Sequence, residues 1–245
     1  MNNLTNQGRT ALVYGGSRGI GAAIVKRLAE DGYDVAFTYV SRPDAAGALV
    51  DEVAALGGNA LAILADSTDA SSIEHAATAA HARFGAIDAV VVNAGIYKAG
   101  QVGEVSISDL DQMLAVNVRG VFLSIQASVP LLKDGGRVVT IGSNVVNGVG
   151  SPGSSVYQLT KAAVAAMVKG LALDLAPRRI TVNNVQPGPT KTDITSGFLE
   201  YLIERSPQKR VADPSEIAGA VAYFLRDDAA YVTGASLTID GGFTL

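Results

Sequence analysis

The chain contains no cysteine, which excludes a disulfide framework, a thiolate nucleophile and a zinc–thiolate site. Histidine is nearly as scarce. His75 and His81 are the only two, six residues apart in an alanine-rich stretch, a spacing that does not bring both to one helical face as metal ligands. They read as surface residues, and no metal site is expected. An excess of basic charge is also missing: Lys and Arg total 19 against 23 Asp and Glu, for a net charge of −4. That balance offers no electrostatic reason for binding nucleic acid or an anionic membrane. The first residues are polar and lack the apolar core of a secretory signal. The most apolar helical stretch, 162–176, is broken by Lys169 and Asp174 and is too short to span a bilayer. No linker, low-complexity tract or repeat interrupts the chain. The expectation is a soluble, cytoplasmic protein with one domain over residues 1–245.

What is present is a large apolar fraction, 48% of residues, enough for a sizeable core. Short β-type runs alternate with longer helical patterns. Strands are predicted at 10–14, 35–40, 60–65, 87–92, 137–141, 180–186 and 236–239. Helices are predicted at 20–31, 44–56, from the capping Asp69 to about 84, at 108–132 with a bend along the way, and at 155–176 and 214–225. Strands separated by helices form βαβ units, which require a parallel sheet. The predicted fold class is α/β: a doubly wound, seven-stranded parallel sheet with helices on both faces. The least regular region follows the sixth strand, with glycines, prolines and threonines around a short helix at 197–204. Its span 190–212 is predicted to be a substrate lid.

The turn Gly15-Gly16-Ser17-Arg18-Gly19-Ile20-Gly21 sits between the first strand and the first helix. Gly15 permits the tight turn, Gly19 lets backbone approach a pyrophosphate, and Gly21 allows close helix–strand packing. The helix N-terminus then supplies N–H donors to the anion. The plain alternative is a glycine-rich structural turn. A dinucleotide site of this Rossmann type selects NAD with an acid at the end of the second strand. Here that end reads Thr38-Tyr39-Val40-Ser41-Arg42, without a carboxylate. Arg18, Arg42 and the Ser41 hydroxyl could instead receive the 2′-phosphate of NADP, unless both arginines are ordinary surface charges.

Tyr157 and Lys161 are four residues apart on a predicted helix and share one face. A nearby ammonium stabilises phenolate, so the Tyr157 pKa is expected to fall toward working pH. Such a tyrosine can protonate a carbonyl oxygen as hydride reaches the carbon. Tyr–Lys pairs at this spacing are common, and the weight here comes from their company. Ser143 ends the fifth strand, where open parallel sheets bind ligands, and can hydrogen-bond a substrate oxygen. Asn117 lies between valines on the helix predicted over 108–132 and needs polar partners there. It serves either the site or a side-chain bond that bends the helix.

The glycine spacing at 15, 19 and 21 resembles the T-G-x-x-x-G-I-G signature of the short-chain dehydrogenase/reductase family, with Tyr14 where the family has Thr. The resemblance runs through essentially the whole chain. It implies that Asp66 and Ser67 contact adenine, and that Asn93, Ala94 and Gly95 line the cofactor, with Val92 replacing the first Asn of the family's N-N-A-G. It implies that Pro187, Gly188, Thr190 and Thr192 hold the nicotinamide carboxamide, and that Lys161 holds the nicotinamide ribose. Asn117 would link Lys161 to solvent through a water. With Gly15, Ser17, Arg18, Gly19, Ile20, Gly21, Ser41, Arg42 and Tyr157, these residues form the expected NADP(H) site. Ser143, Tyr157, Lys161 and Asn117 form the expected catalytic set. The implied reaction is reversible NADPH-dependent reduction of a ketone or aldehyde. The family's last strand implies a homotetramer.

Similar enzymes include 3-oxoacyl-carrier-protein reductases, glucose dehydrogenases and naphthol reductases. Carrier-protein reductases dock their acidic partner on exposed arginines, whereas the matching positions here are Val129-Pro130 and Leu173-Asp174. A small free carbonyl compound is the expected partner. The cleft wall is expected at 144–155 and 194–211, with Val145, Val146, Val149 and Phe198 making it partly apolar. A cofactor-binding regulatory module without chemistry is the non-enzymatic alternative.

Overall fold

Branched and small apolar side chains drive the strands, which in the computed structural model, describing residues 8–148 and 150–245, join one parallel sheet. The strands are β1 (Arg9–Tyr14), β2 (Tyr33–Tyr39), β3 (Ala60–Leu64), β4 (Ile87–Val92), β5 (Leu132–Ile141), β6 (Thr181–Pro187) and β7 (Ser236–Ile239). Their order is β3-β2-β1-β4-β5-β6-β7, and every pairing is parallel. Alternate residues of each strand enter opposite cores. Leu12 and Tyr14 pack with Val90 and Val92 on one face, and Ala11 and Val13 pack with Ala89 and Val91 on the other.

The first of these cores is covered by α3 (Ala70–Phe84), α5 (Val121–Ser128) and α6 (Ser155–Leu175). The other is covered by α1 (Gly19–Glu30), α2 (Pro43–Ala55) and α8 (Pro214–Leu225). In α1 the buried stripe Ile24, Val25 and Leu28 follows the helical period seen in the sequence. Asp69 caps α3 by accepting from the backbone N–H groups of Ser71 and Ser72. Chain order reverses between β1 and β4, so a crevice opens at the carboxyl ends of these strands.

The predicted helix over 108–132 is not continuous. It is built of α4 (Ile107–Leu114), a π-helical segment at Ala115–Gly120, then α5 and a 3-10 turn at Val129–Leu131. Among the described residues, this composite Ile107–Leu131, rather than 162–176, has the length and apolar composition to cross a bilayer. In the fold, its Val121 and Ile125 are buried in the sheet's core. β5 also starts earlier than predicted, because Leu132 pairs with Ile87 before a register shift brings Arg137 opposite Ala89. The ends of the segment 190–212 are tied together. Thr190 and Ala212 form an isolated parallel bridge, in which Lys191 N–H donates to the Ala212 carbonyl and Ala212 N–H to the Pro189 carbonyl, both at 2.9 Å. Between them lies α7 (Leu199–Arg205).

Candidate active site

The glycine turn leaves β1 under several restraints. Gly15 N–H donates to Thr38 Oγ1 at 2.8 Å, Gly16 N–H to the Thr38 carbonyl at 2.9 Å, and Asn93 Nδ2 to the Gly15 carbonyl at 2.6 Å. This accounts for Tyr14. Its ring is buried in the opposite core, with the phenol 3.0 Å from Ser128 Oγ, and the Thr38 hydroxyl of the neighbouring strand holds the turn. Glycine is required sterically at three of the positions, Gly16 among them, where a Cβ would stand 2.5 Å from the Phe37 Cβ. A Cβ on Gly15, whose φ is +78°, would stand 2.7 Å from the Ala94 Cα, and one on Gly21 would collide with the Gly15 carbonyl.

The N-terminus of α1 is left without a side-chain cap, Arg18 being its N-cap residue, as are those of α2, α6 and α7, whereas α3, α4 and α8 are each capped by a side-chain oxygen. Free N–H donors behind a glycine turn fit a pyrophosphate group. Gly19 has φ +53°, and a Cβ there would meet only the Thr192 side chain, which places the turn against the start of the segment 190–212. Arg18 bridges the same gap through an ion pair with Asp193 at 3.1 Å. Ser41 and Arg42 are exposed just past β2, with Arg42 in the left-handed region at φ 66° and 3.7 Å from Asp44. Both guanidiniums therefore already face a carboxylate, in exposed pairs of little strength. Asp66 is exposed and accepts from Thr68 N–H at 2.8 Å, while Ser67 is buried.

A cavity of about 310 Å³ opens beside the turn and collects Ser143, Tyr157 and Lys161 with Ile20, Asn93 and Gly95. Pro187, Gly188, Thr190 and Thr192 line it from the far side. Gly188 is needed for contact with the C-terminal tail, since a Cβ there would clash with Asp240, whose carboxylate caps the tail by accepting from Gly242 N–H and Thr244 N–H, each at 3.0 Å. The Thr190 hydroxyl donates to the Gly188 carbonyl at 2.9 Å. Gly15, Ser17, Arg18, Gly19, Gly21, Ser41, Arg42, Asp66, Ser67, Ala94 and Asn117 do not line this cavity.

Ser143 extends from the end of β5 and accepts from Val145 N–H at 3.4 Å. Tyr157 stands on the first turn of α6, edge-on to Tyr97 with ring centroids 5.1 Å apart. Lys161 follows one turn later, 4% exposed. Its ammonium donates to the Ile141 carbonyl at 2.8 Å and lies 5.7 Å from the Tyr157 ring centre. The expected lowering of the Tyr157 pKa by Lys161 is not found. Burial pushes the phenol up to about 12, opposed by the Ser143 hydroxyl bonded to it, because the ammonium is engaged with backbone instead. Lys161 bears the electrostatic cost, and burial lowers it to about 8.

Asn117 lies behind Lys161 in the π-helical segment, fully buried. Its Oδ1 accepts from Ile96 N–H at 2.9 Å, and its Nδ2 donates to the Ile96 carbonyl at 2.9 Å and to Thr160 Oγ1 at 3.2 Å. The side chain thus clasps the strand-end loop from a locally widened helix, a feature common at functional sites. Neither His75 nor His81 is near these groups; both are exposed on α3. Among the described residues no group of three metal-ligating side chains occurs.

A family profile described as Enoyl-(Acyl carrier protein) reductase matches residues 15–244. A short-chain dehydrogenase/reductase from Serratia marcescens BCRC 10948 superposes with a TM-score of 0.95 at 48% identity, covering 98% of this chain and 99% of that one. The chain belongs to the short-chain dehydrogenase/reductase family. A second family structure, a short chain dehydrogenase from Burkholderia cenocepacia J2315 in complex with NADP, superposes at TM-score 0.95 with 42% identity over 98% of this chain and 99% of that one. A further relative is the cyclic-di-GMP-binding biofilm dispersal mediator protein of Escherichia coli K12, 39% identical over 96% of this chain and 97% of its own length.

Within this family frame, the cavity has a wall that sequence reasoning found only in part. Val145, Ile194 and Phe198 line it as expected, whereas Val146 does not; Val149 lies outside the described residues. Tyr201 and Arg205 line it from within the expected 194–211 wall, whereas Tyr97 and Phe243 also line it and were missed. Tyr97 follows directly on Asn93-Ala94-Gly95-Ile96 and could have been found by extending that motif. Phe243, in the tail beyond β7, carries no local signal.

Proposed function

We propose that this chain is an NADPH-dependent carbonyl reductase that converts a free ketone or aldehyde to the alcohol, reversibly. The observation that carries the reading is the convergence of Ser143, Tyr157 and Lys161 on one cavity beside the uncapped N-terminus of α1. NADP(H) is favoured over NAD(H) by Arg18, Ser41 and Arg42 and by the absence of a carboxylate at the end of β2. The Burkholderia relative solved with NADP supports the same choice. Gly15, Ser17, Gly19, Ile20 and Gly21 would hold the pyrophosphate, Asp66 and Ser67 the adenine, and Asn93, Ala94, Gly95, Pro187, Gly188, Thr190 and Thr192 the nicotinamide end.

When bound, the reduced nicotinamide supplies a hydride to the carbonyl carbon. Ser143 orients the carbonyl oxygen by a hydrogen bond, and Tyr157 gives that oxygen the proton of its hydroxyl. A phenol held at about 12 is fully protonated at neutral pH and begins as an acid. Its phenolate is then reprotonated from the side of Lys161, whose pKa of about 8 lets it exchange protons near neutrality. Asn117 holds the Ile96 loop and Thr160 around that lysine. The protein acts in the cytoplasm as a homotetramer, and residues 190–212 close over the substrate.

Thioester or sugar substrates remain alternatives within the same chemistry. The family profile's description favours the first, while Val129-Pro130 and Leu173-Asp174 oppose docking of an acidic carrier. A regulatory module that binds its ligand without chemistry is a second reading, favoured by the description of the E. coli relative. Absorbance at the reduced-nicotinamide band, with NADPH or NADH and a panel of ketoesters, aryl ketones, aldehydes, quinones and sugars, separates these readings. The expected result is NADPH oxidation well above NADH oxidation, with Tyr157→Phe binding NADPH but losing at least about 100-fold in kcat. NADPH binding without turnover on any carbonyl would favour the regulatory module.

A further inference from the structure

The cavity that holds Tyr157 is lined by no aspartate or glutamate, and its charged lining residues are Lys161 and Arg205. Lys161 is engaged deep inside, on the Ile141 carbonyl. Arg205 ends α7 on the lid and is exposed. Most arginines of the chain face a carboxylate, among them Arg9, Arg18, Arg27, Arg178, Arg210 and Arg226. Arg205 forms no ion pair among the described residues. Its guanidinium is instead held 5.4 Å from the ring centres of both Tyr201 and Phe243, and it donates to the Tyr201 hydroxyl at 2.7 Å.

This arrangement orients a cation without neutralising it. Two aromatic faces fix the guanidinium plane, and its other N–H donors have no protein acceptor among the described residues. The Tyr201 hydroxyl accepts from Arg205 and keeps its own proton to donate. A guanidinium and a phenol side by side match the two oxygens of a carboxylate. Around them the cavity is apolar, through Tyr97, Leu202, Phe198 and Phe243.

We propose that Arg205, with Tyr201, makes the enzyme select carbonyl substrates whose aromatic or apolar body carries a carboxylate at the end remote from the carbonyl. The proposal rests on the carbonyl-reductase reading of the same cavity. Reduction would place the carbonyl at Ser143 and Tyr157 and the carboxylate on the lid, so that substrate binding also draws α7 over the site.

The test compares 4-carboxybenzaldehyde with methyl 4-formylbenzoate, which share a body and differ in charge, for wild type, Arg205→Met and Arg205→Lys. Wild type is expected to favour the acid in kcat/KM by about tenfold or more. Arg205→Met should collapse that ratio, mainly through KM for the acid, and Arg205→Lys should keep part of it. Equal wild-type efficiency on the two aldehydes, or an unchanged ratio in Arg205→Met, would overturn the proposal. So would a weakened NADPH affinity in Arg205→Met with no change in the ratio, since Arg205 would then belong to the cofactor. Calorimetric binding of benzoate and benzamide to the NADP-loaded protein gives a readout independent of turnover. If neither aldehyde is reduced but benzoate binds in preference to benzamide through Arg205, the reductase reading fails and the carboxylate site stands. If benzoate shows no such preference, the site fails as well.

Discussion

Lys161 shows how one buried charge makes stability depend on pH. Its ammonium is removed from water and satisfied by the Ile141 carbonyl, and burial lowers its pKa from 10.5 to about 8. Between those values the unfolded chain binds more protons than the folded one, so stability contributed by this residue rises with pH across that window. Tyr14 and Tyr157 act in the opposite sense at higher pH. Burial raises both from 10.0 to about 12, so the folded phenols stay protonated where the unfolded ones ionise, and stability falls as pH climbs through that range. Urea unfolding of wild type and Lys161→Met should therefore show the difference between them moving in favour of wild type from pH 8 to pH 10. A difference independent of pH would mean that Lys161 is not buried as a charge. The motif Tyr157-x-x-x-Lys161 was legible because helical geometry alone puts both residues on one face. The direction of the Tyr157 shift was not, because it depends on where a flexible lysine finds its acceptor.

Among the elements, the bend of the helix over 108–132 was anticipated, and the structure supplies its form as a π-helical segment containing Asn117. Of the two readings of Asn117 in the sequence, service to the site or a side-chain bond that bends the helix, the bonds formed go to Ile96 and Thr160 and not to its own helix. The widened helix carries the side chain inward, and the amide clasps both polar groups of the Ile96 peptide. Asn117→Ala should leave those groups without their partner and cost about 2–4 kcal/mol, read as a lower urea midpoint. A loss below about 0.5 kcal/mol, the size of an ordinary surface substitution, would show that the clasp is dispensable. The segment 190–212 was recognised as irregular from its glycines, prolines and threonines. That its two ends pair as a bridge at Thr190 and Ala212 was beyond sequence reasoning, since the pairing joins residues with no shared pattern.

At the scale of the molecule, β7 leaves one side of the sheet's last strand unpaired among the described residues of the single chain. Leu237 on that strand is 39% exposed, and Tyr223 and Tyr231 nearby in sequence are exposed as well. A homotetramer that covers this edge would remove both the open strand and the aromatic surface from water. Light scattering on the purified protein should give the mass of four chains, and a single-chain mass would contradict the assembly.

The sequence by itself determined most of the strand and helix succession and the parallel α/β sheet, and it pointed to the glycine turn and to Ser143, Tyr157 and Lys161, which line one cavity. Those features follow from periodicity, from glycine's lack of a Cβ, and from the rule that ligands gather at the carboxyl ends of parallel strands. Only the tertiary structure decided what those residues do to one another. It showed Thr38 holding the turn in place of the residue at 14, Lys161 bonded to Ile141, and Asn117 clasping Ile96. It also brought Arg205 and Phe243 into one cavity, from α7 and a terminal tail 38 residues apart. Such contacts join distant segments whose side chains obey no common period, so packing is what sets them.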